Sequence, residues 1–249
     1  MSFFNNNLRK NKETFDYESL PKGYYDDIYR RRKGIRSRWH HDRFLFMSKK
    51  IPNDCTHLDL ACGSGTFVGH HRSDSKSIRI GIDISLNQLH AAHNLYSKQN
   101  IHFVNCSVER LPFRDCQFEV VTSLELIEHL TLAQSEIMLK EIYRVLRPGG
   151  TIVLSTPNYS SLWPYVEWLL NKVSDISYID QHITKFNSAS LCDMLIQTGY
   201  TSIRVQKFML ASPFLAVFGW RFSNYIRNLE PQWLMSQSGL LLSATGTKR

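Results

Sequence analysis

A chain of 249 residues that is 43% apolar and 12% aromatic can bury one sizeable core, and α/β domains of this length commonly fold as one unit. Five cysteines, odd in number and without CxxC spacing, exclude a disulfide framework or a zinc ribbon, so a reducing, cytoplasmic setting is expected. The start, MSFFNNNLRKNKE, lacks the apolar core of a signal peptide, and no run approaches the roughly 20 apolar residues needed to cross a bilayer.

Residues 1–22 are polar and rich in Asn and Lys, and read as an arm with little structure of its own. From Tyr24 to Lys50 the pattern is helical, with Trp39, Phe44, Leu45 and Phe46 as inward positions and Pro52 as its end. The net charge of +8 is concentrated here: Arg30 to Lys50 holds nine Lys or Arg against one acid, Asp42. Such a segment suits the phosphates of a nucleotide, a nucleic acid or an acidic membrane, or is a solvated helix face. The chain is expected to divide into this arm and basic segment, 1–50, and one domain over 51–249.

Beyond Pro52, short β-branched or apolar runs alternate with helical patterns. Strands are predicted over Thr56–Leu60, Ile78–Ile82, Ile101–Val104, Phe118–Thr122, Thr151–Ser155, Ser202–Phe208 and Leu240–Thr245. Helices are predicted over Phe67–Arg72, Leu86–Lys98, Leu132–Val145 and Ser188–Gln197. This alternation predicts an α/β, Rossmann-like fold, a seven-stranded and mostly parallel sheet with helices on both faces. Thr131 and Gln134 make a capping box, and Arg147-Pro148-Gly149-Gly150 is expected to stop the helix and turn the chain into the next strand. An apolar run, Phe208–Trp220, opens an insertion over 208–236; it is too short to span a membrane and reads as a core helix, a lid over an apolar pocket, or an interfacial anchor.

The first strand runs into a glycine turn, Asp59-Leu60-Ala61-Cys62-Gly63-Ser64-Gly65. Gly63 and Gly65 permit positive φ and let a ligand lie against the main chain. Asp83 ends the next strand, where a carboxylate can accept both hydroxyls of a ribose. A dinucleotide fits these features too, but the turn is not GxGxxG, and Asp59 suits a ligand bearing an ammonium group better than a pyrophosphate.

With GIDIS, VERLPFRDCQFEVVTSLELIEHL and LRPGGTIVLSTPN following in order, the chain resembles the class I S-adenosylmethionine (SAM)-dependent methyltransferases, of the kind called methyltransferase type 11, over about residues 55–158. The resemblance implies that Asp59, Gly63 and Gly65 surround the methionine part of SAM, that Asp83 holds the ribose, that Ile84 packs on the adenine, and that the Cys106-Ser107-Val108 turn approaches the adenine edge. Ala61 and Leu124 join them as cofactor-binding candidates. Many relatives have Asp where Ser107 stands, so the adenine amino contact is weaker here or comes from the backbone.

Glu125, Glu128 and His129 follow the fourth strand with ExxEH spacing, and on a helical turn they would share one face. With His182 they make a carboxylate and imidazole set suited to a divalent metal ion. In the competing reading His129 or His182 is a general base without metal, beside Glu128, since an imidazole suits proton removal at neutral pH. ExxEH, STPN and HxxKF resemble the ubiquinone-biosynthesis O-methyltransferases, and the ExxEH pattern with a distant His also resembles metal-dependent small-RNA 2′-O-methyltransferases. The leading expectation is therefore methyl transfer to a hydroxyl of a small-molecule or lipid-like acceptor, with peripheral membrane contact. The rivals are an RNA-directed methyltransferase using the basic segment and a SAM-binding partner protein without catalysis of its own.

Overall fold

The computed structural model describes Glu18 and residues 20–71, 77–173 and 181–249. Seven strands form one sheet: β1 His57–Leu60, β2 Arg79–Asp83, β3 Ile101–Asn105, β4 Phe118–Leu124, β5 Leu146–Pro157, β6 Thr201–Phe208 and β7 Leu241–Thr247. Their order is β3-β2-β1-β4-β5-β7-β6, with β7 alone antiparallel to its neighbours. Between β1 and β4 the order reverses, and in parallel sheets the carboxyl ends of such a pair open a crevice for ligands. Asp59 pairs in register with Gly81 on one side and Thr122 on the other, at that crevice.

Nine helices accompany the strands among the described residues: α1 Tyr24–Arg31, α2 Gly34–Ser48, α3 Thr66–His70, α4 Leu86–Tyr96, α5 Leu132–Val145, α6 Trp163–Val173, α7 Ser188–Gln197, α8 Trp220–Leu229 and α9 Gln232–Ser238. On one face of the sheet, Leu58, Val121 and Leu154 pack with Met138 and Ile142 of α5 and Leu191 of α7. On the other, Val120, Val153 and Leu241 pack with Met47 of α2 and Phe67 of α3. The basic helical segment therefore contributes to the sheet's second core, with Met47 fully buried. Burying a side chain of this kind contributes about 1.5–3 kcal/mol.

Several local expectations change. The predicted helix from Tyr24 to Lys50 is two helices, because Arg32 takes a left-handed φ of 45° between them. Leu45 is not inward but 42% exposed, and the inward positions of α2 include Arg38, Asp42 and Arg43. Arg147–Gly150 does not separate helix from strand: α5 ends at Val145 and β5 begins at Leu146, with a register shift opposite Phe118–Val120 taking up the extra residues. The capping box on Thr131 and Gln134 is present. Most of the arm over 1–22, and Arg72 at the end of the third predicted helix, lie outside the described residues, while Glu18 accepts hydrogen bonds from the backbone of Leu86 (2.6 Å) and Asn87 (3.2 Å) at the start of α4.

Asp42 is the hub between α2 and the insertion after β6. Arg38, 2% exposed, donates from Nε to Asp42 Oδ2 (2.9 Å), lies over the Trp220 ring and reaches Asn224 (3.3 Å). Ser212 Oγ (3.2 Å) and Arg227 Nη1 (3.3 Å) meet the same carboxylate. Removing one partner of a buried ion pair leaves the other charge uncompensated. Asp42→Ala is therefore expected to lower unfolding stability by about 3–5 kcal/mol, whereas Arg38→Met with Asp42→Leu recovers most of that loss. Urea titration measures both, and a loss under about 1 kcal/mol for the single variant would remove Asp42 from this role.

Candidate active site at the carboxyl edge of the sheet

A glycine turn and a group of acidic, apolar and imidazole side chains converge where β1, β2, β4 and β5 end. The turn needs its glycines: Ala61, Gly63 and Gly65 all have positive φ, 51°, 55° and 73°. A Cβ on Gly65 would stand 2.9 Å from the Phe103 ring, and one on Gly63 would meet the Tyr25 ring at 3.0 Å. Tyr25, on α1, thus roofs the turn. Its neighbour Asp26 is buried and tied to Arg30 and Tyr96, and its backbone N–H donates to Ser64 Oγ at 3.1 Å.

Asp83 Oδ2 accepts from Gly63 N (2.7 Å) and Oδ1 from Ser85 N (2.9 Å). Burial raises its pKa, and these backbone donors oppose the rise. Ile84 beside it is 66% exposed, an apolar platform next to a carboxylate. Ser107 is exposed and its hydroxyl accepts from Glu109 N (3.2 Å), while Val108 and Leu124 are half-buried. Asp59 is 2% exposed and accepts from Thr122 Oγ1 at 2.5 Å, while His57 Nε2 lies 2.8 Å from the same hydroxyl. Burial pushes the Asp59 carboxyl up to about 7, and holds His57 down at about 3, so His57 is neutral and donates. These residues suit a ligand that offers a ribose diol, an apolar ring and an ammonium group, which is the group set of SAM.

The ExxEH segment divides. Glu125 has a left-handed φ of 54° and precedes a short 3-10 turn, Ile127–His129, so it does not share a helical face with the others. Its carboxylate accepts from Ser155 Oγ (2.7 Å) and lies 3.7 Å from Arg43 Nη1. Glu128, His129 and His182 do come together, with one ligand atom from each within 4.8 Å of the others. Glu128 is fully buried; Oε2 accepts from Thr156 Oγ1 (2.9 Å), and Oε1 has no hydrogen-bond partner. Burial, then the charge of Glu125, raises its pKa well above the usual carboxylate range, so it keeps its proton. The STPN segment is thus the support of ExxEH, since Ser155 holds one glutamate and Thr156 the other.

His129 Nδ1 lies 3.1 Å from the Gln181 carbonyl, and burial lowers its pKa to about 4. His182 Nδ1 donates to Glu167, which also accepts from the Tyr159 hydroxyl (2.8 Å). Burial would raise the Glu167 carboxyl, but hydrogen bonds from His182 and Tyr159 bring it below the ordinary value. Trp163, 6.3 Å from His182 between ring centres, packs tilted against Trp39 at 5.3 Å, and Phe214 meets Trp39 at 6.2 Å. Tyr25, Arg43, Tyr159, Glu167 and Trp163 were not singled out from the sequence. They belong to no motif; Tyr25 and Arg43 meet partners far along the chain, while Tyr159, Trp163 and Glu167 meet each other and His182 within about 25 residues but without a recognisable spacing. The basic groove of about 650 Å³ lined by Arg38, His41 and Lys49 is on the other side of α2 from Trp39 and Arg43.

A family model described as a methyltransferase domain matches residues 58–154. The ubiquinone/menaquinone biosynthesis C-methyltransferase UbiE of Desulfotalea psychrophila is 31% identical over 196 residues, 72% of this chain and 78% of that protein. The demethylmenaquinone methyltransferase of Lactobacillus johnsonii is 28% identical, over 72% of this chain and 80% of its own length. Among solved structures, a SAM-dependent methyltransferase of Thermotoga maritima shares the fold with a TM-score of 0.60 at 16% identity, covering 90% of this chain and 100% of that one. Glycine turn, strand-end carboxylate, strand order and these relatives agree: the chain belongs to the class I SAM-dependent methyltransferases, and SAM is its cofactor.

Proposed function

We propose that the acceptor is a lipid-like phenol or quinol, that its hydroxyl is the proton donor, and that the ring carbon beside that hydroxyl takes the methyl group. The observation that carries this is the cluster of buried Glu128 and His182 with half-buried His129 beneath the Trp39, Trp163 and Phe214 wall. Aromatic walls with a few converging polar groups suit a flat, largely apolar acceptor. The hydroxyl acceptor expected from sequence enters as the group that first gives up a proton; the relative named for C-methylation in ubiquinone and menaquinone biosynthesis favours carbon over oxygen as the methylated atom.

Each residue then has a task. SAM supplies an electrophilic methyl group, so the protein's work is to align the acceptor, exclude water and take a proton. Asp59, with Ala61, Gly63 and Gly65, holds the methionine end; Asp83 holds the ribose, Ile84 the adenine face, and Ser107, Val108 and Leu124 line the rest. Glu167 fixes the His182 ring with its proton on Nδ1, which leaves Nε2 as the basic atom. His182 takes the hydroxyl proton, His129 lies beside it with ring centres 5.0 Å apart, and protonated Glu128 donates to the acceptor oxygen. Once the ring carbon holds the methyl group, its own hydrogen leaves as a proton and the oxygen regains one from His182, which restores the aromatic ring. Buried ion pairs and other intramolecular contacts engage Arg30, Arg38, Arg43 and Lys50, so the basic segment is a weaker case for an RNA-directed enzyme. A second reading is favoured by the orphaned Glu128 Oε1: Glu128, His129 and His182 hold a divalent ion that lowers the hydroxyl's pKa. Glu125, held by Ser155 and Arg43, stands outside that set.

Three outcomes are expected. Incubation with methyl-labelled SAM and a short-tailed benzoquinol or naphthoquinol gives a ring-methylated product by mass spectrometry and NMR; a methoxy product moves the assignment to oxygen, and no transfer to either removes the quinol.

SAM affinity rises with pH towards a plateau above about 7, since only ionised Asp59 pairs with the ammonium group, and it falls by as much as tenfold per pH unit below that. Calorimetry at pH 5.5 and 7.5 measures the slope, which Asp59→Asn abolishes; an unchanged slope in that variant removes Asp59 from the site.

His182→Ala lowers kcat by about a hundredfold or more and Glu167→Gln by about 10–100-fold, with SAM affinity unchanged in both. Loss of turnover on chelation, restored by one divalent ion, would replace the base reading with the metal reading.

A further inference from the structure

We propose that the carboxyl edge of the sheet docks on an anionic lipid bilayer through the outward faces of α6 and α8, so that the active site opens onto the membrane. The purpose of this surface rests on the lipid-like acceptor proposed above; its geometry does not. β5 and β6 both lie antiparallel to β7 and so run the same way, and the chain leaves each at the edge where the glycine turn lies. The segments that follow Pro157 and Phe208 therefore crown the site. Their inner ends meet on Trp39, through Trp163 and Phe214.

An amphipathic helix on a globular surface turns its apolar side inward. Here both helices carry apolar side chains on the outside. In α6, Trp163 and Glu167 point in, whereas Tyr165, Trp168 and Leu169 are more than half exposed. In α8, Ser223 is buried, whereas Phe222, Tyr225 and Leu229 share the outer face, and Phe218 in the preceding turn is 75% exposed. Every exposed aromatic side chain among the described residues lies in these two insertions, the sixth being Trp233 of α9. A patch of this kind marks an interaction surface.

Charge decides what it meets. Lys172 lies over the Trp168 ring at 3.8 Å, and Arg221 is exposed beside Phe222. Both acids in the described parts of these insertions face inward: Glu167 is buried against His182, and Glu230 is half-buried, accepting from Ser212 N at 2.7 Å. Cations beside Trp, Tyr and Phe, with no exposed acid among the described residues there, match an anionic bilayer interface. No helix among the described residues is long and apolar enough to cross a membrane, so the contact is peripheral.

The test is co-sedimentation of the full chain, without SAM or acceptor, with phosphatidylcholine vesicles that contain none or about 30% phosphatidylglycerol. Wild type is expected to favour the anionic vesicles and to lose that preference in high salt. Phe218→Ser with Phe222→Ser, and separately Trp168→Ser with Leu169→Ser, should weaken binding about tenfold or more, with melting and SAM affinity unchanged. Arg221→Glu should weaken only the anionic preference. Equal partition to both vesicles, wild-type binding by both double variants, or a dimer in light scattering that the same substitutions dissociate overturns the proposal. A dispersed quinol assayed in parallel separates the two readings: methylation without vesicle binding discards the membrane alone, and vesicle binding without methylation discards the quinol alone.

Discussion

Placing a carboxyl group between two parallel strands, out of reach of water, forces a choice on its surroundings: it must be neutralised, hydrogen-bonded or left protonated. At Asp59 the protein combines the last two. Thr122, the in-register neighbour on β4, donates to the carboxylate, and neutral His57, two residues back on β1, donates to Thr122. This chain of three side chains links the two strands at the point where the strand order reverses. It also fixes why β1 and β4 must hold this register. A shift of one residue would carry Thr122 to the opposite face of the sheet and leave a buried acid without its donor.

The same logic is repeated along the carboxyl edge. Glu128 accepts from Thr156 at the end of β5, Glu125 from Ser155, and Glu167, on a separate helix, accepts from His182 Nδ1. Each acid is thus supported by an element other than its own. Such networks are rigid when satisfied, because no member can rotate without leaving another unpaired. The orphaned Glu128 Oε1 is the exception, and it lies in the cluster where an acceptor would enter. Rigid support with one open valence is what an aligned transfer reaction requires of its protein.

Local pattern carried the sheet into the sequence. Each strand is a short apolar run, and Asp59 and Asp83 are recognisable because a strand ends in a glycine turn or a carboxylate at a fixed place. Residues whose neighbours are distant left no such mark. Arg38 and Asp42 read as part of a solvated basic helix because their charge is local, while the partners that bury them, Ser212, Trp220 and Asn224, are about 170 to 186 residues away. The ExxEH spacing suggested a shared face, yet spacing says nothing about the left-handed backbone at Glu125, which turns its carboxylate towards Arg43. Glu167 had no motif at all; only the fold brings α6 against His182.

Protonation ties these parts together. Burial raises the Asp59 carboxyl to about 7 and the Glu128 carboxyl well above its usual range, and it lowers the imidazoles of His57 and His129. The edge therefore carries less charge than its residue types suggest. A sulfonium cofactor brings positive charge into it, and ionisation of Asp59 answers that charge without a second cation or a counterion from solvent. The sign for the free protein follows. A folded-state pKa above the unfolded value of 3.8 means that the folded chain holds a proton the unfolded chain has released. Stability from this group is fully present below about 4 and is lost as pH rises towards 7. Binding a cation beside Asp59 lowers its pKa and returns that stability at neutral pH, so cofactor binding and folding are coupled through one buried carboxyl.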